Sequence, residues 1–399
     1  MKIAITHTDF RVHWGKRLKA LHNYLEEKGH SLFVIEIGGK GSPYAFHKNQ
    51  DYSGLNWHCI FPDNRIEDIK PLDAKRGVIQ ALKNIRPDVV LSGAIAYSSG
   101  AAALEYCIRI GTKHIVFDNA RLEDIPRSGF VNFIKKKLYD GVDAILCPVA
   151  SCNKDFRYWG FSDEQIFHGL NVIDNQYFKK QVDNGTLQKK SKKLLAVGRQ
   201  IPKKNFLRLL KVWGRVSNDN TKNNSNRLVF VGEGPSHNEL VGYSNENNLS
   251  NVEFIPFQTQ EQLQELYHNA SALVLPSMYG ETWGLVVNEA MAAGLPVFVS
   301  DRCGCASTLV DDGRNGYTFD PENEEQISYV LTKFIEMPSD ELRRMGKESE
   351  KIIADWDLDR FCSGVWEAVQ YVVSNEKKRK GDVFSKILVR RWNGRYRPV

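Results

Sequence analysis

Short apolar runs and helix-spaced apolar positions alternate along the whole chain. KIAIT at residues 2–6 predicts a strand. In the stretch 16–28 that follows, Leu18, Leu21, Tyr24 and Leu25 share one helical face, and Gly29 stops it. SLFVIEI predicts a second strand, a loop-rich section then runs to residue 70, and a helix ends near Ile85. DVVLS (88–92), HIVF, DAILC and QIFHG supply later strands. Between residues 179 and 193 the chain turns polar, KKQVDNGTLQKKSKK. A second series follows: LLAVG, RLVFVG, VEFIPF, ALVLPS, LPVFVS and GYTFD, each with helix-compatible sequence after it. Near-continuous apolar strands separated by helices predict parallel sheets covered on both faces. The expected class is therefore α/β, with two Rossmann-like doubly wound domains whose strand C-terminal ends face a central cleft. The expected division is a first domain at 1–178, a linker at 179–193, a second domain at 194–355, a terminal helix at 356–375 crossing back to the first domain, and a tail at 376–399.

Composition narrows the class. The 399 residues are 42% hydrophobic and 26% charged, an ordinary globular mixture that excludes disordered, collagenous and coiled-coil chains. No apolar run reaches the roughly 18–20 residues that span a bilayer, and the N-terminus lacks the longer apolar stretch of a secretory signal. Seven scattered cysteines fit a reducing compartment, so a cytoplasmic protein is expected. The net charge is +6, yet residues 376–399 carry nine basic and two acidic side chains, which leaves the rest of the chain at −1. The basic character belongs to the tail, which weakens a nucleic-acid reading.

Two segments carry candidate chemistry. In LLAVGRQIPKKNFLRLL an apolar strand ends at Gly198, a short loop holds Arg199, Lys203 and Lys204, and a helix begins. A guanidinium grips phosphate oxygens through paired hydrogen bonds, an ammonium adds a point charge, and a helix N-terminus favours anions. The bland alternative is a solvated basic loop. In LPSMYGETWGLVVNEAMAAGLPVFVSD a strand ends near Pro276, and a helix is expected to start around Gly284. The N–H groups of Gly284, Leu285 and Val286 then suit a phosphate. Glu281 precedes that helix and Glu289 lies inside it. A carboxylate accepts hydrogen bonds from both vicinal hydroxyls of a ribose, and Glu281 similarly suits sugar hydroxyls. A capping Glu281 and a solvent-facing Glu289 are the plainer reading.

These segments resemble the signatures of the retaining glycosyltransferases of family four, which have the GT-B fold. GRQIPKK is similar to the family's Gly-Arg-x-x-x-x-Lys diphosphate loop and assigns Arg199 and Lys204. GETWGLVVNEAMAAGLPV is similar to its Glu-x7-Glu motif and assigns Glu281 and Glu289. VGEGP and GRNGYTF add to the likeness, which spans nearly the whole chain and is strongest over 194–320. The resemblance implies a nucleoside-diphosphate-sugar donor held by the second domain and a glycan or lipid-linked acceptor held by the first, with no metal and no other cofactor. It implies a glycine near the donor diphosphate after KIAIT, for which Gly15 is the candidate. Where relatives often carry a histidine after the strand equivalent to HIVF, this chain reads FDNAR. Asp118 stands there, either contacting acceptor or sugar or capping the loop. A surface-polysaccharide or glycoconjugate role follows by resemblance. Rival readings are a nucleotide-sugar epimerase of the same fold and a basic-tailed nucleic-acid-binding or scaffold protein.

Other features read as structural. Asp355, Asp357 and Asp359 precede a terminal helix, where capping and solvation are expected. Cys303 and Cys305 lack the second pair or histidine cluster that zinc needs. The apolar positions of the tail, Val383, Phe384, Ile387, Leu388 and Trp392, recur at helical spacing among basic residues. They suit attachment to an anionic membrane, on the inner face, or a strapped basic end. FVNFIKKKLYD (130–140) is a second candidate for such a surface.

Overall fold

The computed structural model describes residues 1–10, 13–40, 52–123, 127–179, 191–219, 226–375 and 382–394. Most of the expected linker and parts of the basic tail lie outside the described residues. The chain divides into two compact units, Met1–Val172 with Leu358–Val399, and Ile173–Asp357.

The first unit holds strands β1 (Lys2–His7), β2 (Ser31–Lys40), β3 (Asn56–Arg65), β4 (Val89–Ser92), β5 (Lys113–Phe117), β6 (Ala144–Cys147) and β7 (Ile166–His168). Its helices are α1 (Trp14–Glu26), α2 (Pro71–Ile85), α3 (Ser98–Ile110), α4 (Gly129–Tyr139) and α5 (Asn153–Tyr158). The sheet order is β3-β2-β1-β4-β5-β6-β7, with every pair parallel. The order reverses between β1 and β4, the topological switch point of a doubly wound sheet. The second unit holds α6 (Asn175–Phe178), β8 (Lys193–Val197), α7 (Phe206–Asp219), β9 (Arg227–Val231), α8 (His237–Glu246), β10 (Val252–Ile255) and α9 (Gln260–Asn269). It continues through β11 (Ala272–Leu275), α10 (Leu285–Ala292), β12 (Val297–Ser300), α11 (Ala306–Leu309), β13 (Gly316–Phe319), α12 (Glu324–Glu336) and α13 (Ser339–Ile353). Its sheet, β10-β9-β8-β11-β12-β13, is also parallel throughout and reverses between β8 and β11. The chain then returns to the first unit as α14 (Leu358–Ser374) and α15 (Val383–Arg391).

The central strands are buried on both faces, which is why they read as unbroken apolar runs: every residue of β4, β6, β11 and β12 is buried. One face of the first sheet packs α1 and α14 through Leu18, Leu21, Phe361, Val365 and Val369, and the other packs α2 and α3 through Val78, Leu82 and Ala103. Each fully buried Leu, Val or Phe contributes about 1.5–3 kcal/mol relative to exposure.

Three expectations need correction. The loop-rich section before residue 70 contains the edge strand β3, whose pattern NWHCIFPDNR is half exposed and interrupted by Pro62, so no clean period marks it. The first domain ends at Val172 rather than at residue 178, because α6 packs on the second unit. There Asn175 donates to the Ile353 carbonyl at 2.7 Å, and His268 Nε2 lies 2.8 Å from the Phe178 carbonyl. Lys193, placed in the linker by its polarity, is the first residue of β8, paired in register with Arg227.

Candidate functional site

In the second unit the two segments singled out by their motifs emerge from β8 and β11, the adjacent strands flanking the switch point. Gly198 follows β8 at φ +150°, where a side chain would meet Lys204 Cε at 3.1 Å. The same turn lies against the β9 loop: a Cβ on Gly232 would fall 2.3 Å from the Gly198 carbonyl oxygen. Only glycines allow that approach. Gln200 is fully buried and ties the two turns together, its Nε2 donating to the Gly232 carbonyl at 2.6 Å and its Oε1 lying 2.8 Å from His237 Nδ1. A short 3-10 turn, Pro202–Lys204, presents Lys203 and Lys204, and Asn205, in the left-handed region at φ 59°, turns the chain into α7.

The β11 loop joins this turn directly. The Met278 N–H donates to the Lys203 carbonyl at 2.9 Å. The Lys204 ammonium pairs with Glu281 Oε2, and Ser277 Oγ donates to the same carboxylate oxygen at 3.1 Å. The side chains of Lys204 and Glu281 are only 12% and 19% exposed, so the pair is partly desolvated rather than on an open surface. Gly284, at φ +106°, caps the N-terminus of α10. A Cβ there would meet Leu275 Cδ2 at 2.8 Å, with Glu281 Cγ at 3.7 Å. Gly284, Leu285 and Val286 therefore form the first turn of a helix beside Glu281, and their N–H groups lie at its positive end. The backbone of this loop is locked from behind, with the Gly304 N–H donating to the Glu281 carbonyl at 2.9 Å. Arg199 occupies the turn between Gly198 and buried Gln200.

Glu289 is 3% exposed, not on a solvated face. The Tyr267 hydroxyl donates to its Oε2 at 2.7 Å. Burial first, and then the Glu289 charge, push the Tyr267 pKa well above the usual phenol value, so it stays a donor. Tyr267, Ser277 and Gln200 escaped the sequence reading. Tyr267 lies on a polar helix, QEQLQELYHN, where its spacing from Leu263 signals only packing.

In the first unit the candidates are differently placed. Gly15 lies in the first turn of α1, which follows the end of β1. Asp118 is 6% exposed, and both its oxygens have partners: the Ala120 N–H at 2.9 Å and the Tyr139 hydroxyl at 3.0 Å. The Ala120 contact is a loop cap, and the Tyr139 contact ties the same carboxylate to the end of α4. Around the ends of β1 and β5 an aromatic cluster assembles instead. His7 lies 5.5 Å from Phe117 and 5.7 Å from Trp14 between ring centroids, and Trp14 lies 6.0 Å from Phe361. Burial lowers the His7 pKa below the usual imidazole value.

Asp355 and Asp357 lie in the turn between α13 and α14, and Asp359 in the first turn of α14. Among the described residues no group of three or more His, Cys, Asp or Glu side chains is placed to hold a metal. No helix among them is long and apolar enough to cross a membrane.

Residues 178–352 match the family described as glycosyl transferases group 1. The chain is 26% identical over 300 residues to the amylovoran biosynthesis glycosyltransferase AmsD of Erwinia amylovora, covering 71% of this chain and 78% of that protein. It is 26% identical over 353 residues to an uncharacterized glycosyltransferase of Haemophilus influenzae, covering 84% and 92%. Among solved structures, Anabaena HepE in complex with UDP and glucose superposes with a TM-score of 0.71 at 15% identity, covering 93% of this chain and 99% of that one. The two parallel, doubly wound units have the GT-B fold, and the family match falls on the unit that carries the Lys204–Glu281 pair.

Proposed function

We propose that the enzyme transfers a sugar, with retention and without a metal, from a nucleoside-diphosphate sugar to a glycan or lipid-linked acceptor in surface polysaccharide or glycoconjugate synthesis. The observation that carries this reading is the meeting of Lys204 and Glu281 at the β8/β11 switch point beside the N-terminus of α10. An ammonium has three N–H donors, so Lys204 can keep its carboxylate partner while donating to a diphosphate. With Arg199 and the α10 N–H groups it supplies the positive charge that a metal otherwise gives to a leaving diphosphate. Glu281 faces the sugar hydroxyls and Glu289, pinned by Tyr267, accepts from the ribose. HepE, solved with UDP, supports a nucleotide-sugar donor and makes uridine the first base to try. AmsD, named for amylovoran biosynthesis, supports the polysaccharide context. A peripheral place on an anionic membrane surface completes the reading.

Thermal unfolding with a panel of nucleotide sugars, in chelator, is the test, since a ligand that binds only the folded state raises its stability. One nucleotide sugar is expected to raise the midpoint and to be turned over with chelator present. Turnover abolished by chelator and restored by magnesium or manganese contradicts the metal-free reading. No shift with any nucleotide sugar contradicts the donor class.

A further inference from the structure

The two segments that read as amphipathic, 245 residues apart, come together in the first unit. Lys137 Nζ of α4 pairs with Asp382 Oδ2 at 2.7 Å, and the rings of Phe133 and Phe384 lie 6.2 Å apart. We propose that α4 and α15 together form one face that docks on an anionic lipid bilayer. This deepens the peripheral reading above and does not rest on the donor chemistry.

The inner side of α15 is fixed. Ser385 and Val389 are buried. At its N-terminus Asp382 accepts from the Ser385 N–H at 2.7 Å, and its pKa lies below the carboxylate range chiefly through Lys137. At its C-terminus the buried Lys75 ammonium lies 2.7 Å from Glu105 and donates to the carbonyls of Val389 at 3.0 Å and Trp392 at 2.6 Å. A cation against the last carbonyls of a helix satisfies groups that have no partner within it and complements its dipole. Trp392 Nε1 donates to the Ile95 carbonyl at 2.7 Å, and a side chain on Gly394 would fall 2.4 Å from the Ser98 N–H. The end of α15 is therefore strapped to its own unit, which holds its outer face in one orientation.

That outer face is apolar where a solvated helix is polar. Thirteen large apolar side chains are exposed among the described residues, and six of them lie on these two short helices. Phe130 and Val383 are 73% and 74% exposed, and Val131, Phe133, Phe384 and Ile387 about half. Such concentration marks an interaction surface, whereas single scattered apolar groups do not. Lys136 on α4 and Lys386, Arg390 and Arg391 on α15 are exposed and without an ion pair among the described residues. The acids of the patch, Asp140 and Asp382, are both engaged by Lys137. Exposed apolar side chains that share two helices with exposed cations complement a surface that offers acyl chains beneath anionic headgroups.

Co-sedimentation of the full chain with vesicles of phosphatidylcholine, with and without phosphatidylglycerol, tests this. Three variants are compared: Phe130→Ser with Phe133→Ser on α4, Phe384→Ser with Ile387→Ser on α15, and Lys386→Gln with Arg390→Gln and Arg391→Gln. All the substituted side chains are exposed, so the unfolding midpoint and nucleotide affinity should stay at their wild-type values. The expected result is binding to the anionic vesicles alone, reduced by salt and at least tenfold weaker in each variant. Wild-type protein that ignores anionic vesicles removes both this face and the peripheral reading, while glycosyl transfer to a soluble acceptor is untouched. Binding that the α4 variant retains in full overturns the two-helix face and leaves the tail alone as the contact. Equal binding to neutral vesicles also overturns it, since the charge complementarity then plays no part.

Discussion

The two units repeat one topology and put different chemistry at the same place in it. At the β8/β11 switch point the loops bring together a lysine, a carboxylate, a serine and the start of a helix. Around the ends of β1 and β5 the side chains are aromatic, and the candidate carboxylate Asp118 accepts from its own loop at Ala120 and from Tyr139 of α4. The topology decides where loops converge; the residues in the loops decide whether an anion or an apolar surface is met there. Each unit even holds a buried tyrosine donating to a buried carboxylate, Tyr139 to Asp118 and Tyr267 to Glu289. In the first unit the pair ties the end of α4 to the residue that follows β5. In the second it orients a residue proposed to touch the donor.

This contrast can be broken or sharpened by substitution. The largest expected effect is on stability. Phe361→Ala removes the fully buried ring of α14 that packs on Trp14, and should destabilise the first unit by about 3–5 kcal/mol. Denaturant unfolding followed beside nucleotide titration checks it: the folded variant should bind nucleotide as the wild type does. A loss of nucleotide affinity in protein that is still folded would join the aromatic cluster to the donor site. Next come the paired tyrosines. Each phenylalanine variant removes a hydrogen bond to a carboxylate, of the order of 1.5–3 kcal/mol. Tyr139→Phe should spend that on stability alone, whereas Tyr267→Phe should also weaken nucleotide binding because Glu289 loses its anchor. Equal nucleotide affinity in both variants would erase the distinction between the two carboxylates.

The smallest effect is a pH dependence. Burial holds the His7 pKa below 6.5, and His168 is lowered in the same direction by burial and Arg360. Below that pH the unfolded chain takes up protons that the folded chain refuses, so the stability these residues contribute is complete above pH 6.5 and falls as the solution is acidified through it. Unfolding midpoints measured on either side of that value should drop on the acid side. A His7→Phe variant should show a shallower drop, and an unchanged slope would show that His7 takes no part.

Legibility in the sequence followed burial. Strands such as ALVL and VFVS are covered on both faces, so their apolar runs announced a parallel sheet. Edge strand β3 has no such cover, and its mixture of polar residues with Pro62 hid it. Lys204 and Glu281 stood out because each motif lies in one continuous loop. Their direct pairing across 77 residues, and the hydroxyl of Tyr267 behind Glu289, depend on which strands become neighbours, and no local pattern carries that. The tail showed its amphipathic spacing but not its seat: Lys75, a lysine within helical sequence, gave no sign that it would be buried against carbonyls 314 residues away.

The central claim is that the β8/β11 switch point seats the donor diphosphate. Calorimetric titration of wild type and Lys204→Ala with a nucleoside diphosphate and with the matching nucleoside, for uridine and then guanosine, tests it most directly. Losing one charged hydrogen bond of about 1.5–3 kcal/mol should weaken the diphosphate more than tenfold. The nucleoside, which has no phosphate for Lys204 to reach, should bind both proteins equally. Equal diphosphate affinity in wild type and variant would contradict the claim and move the diphosphate away from this loop.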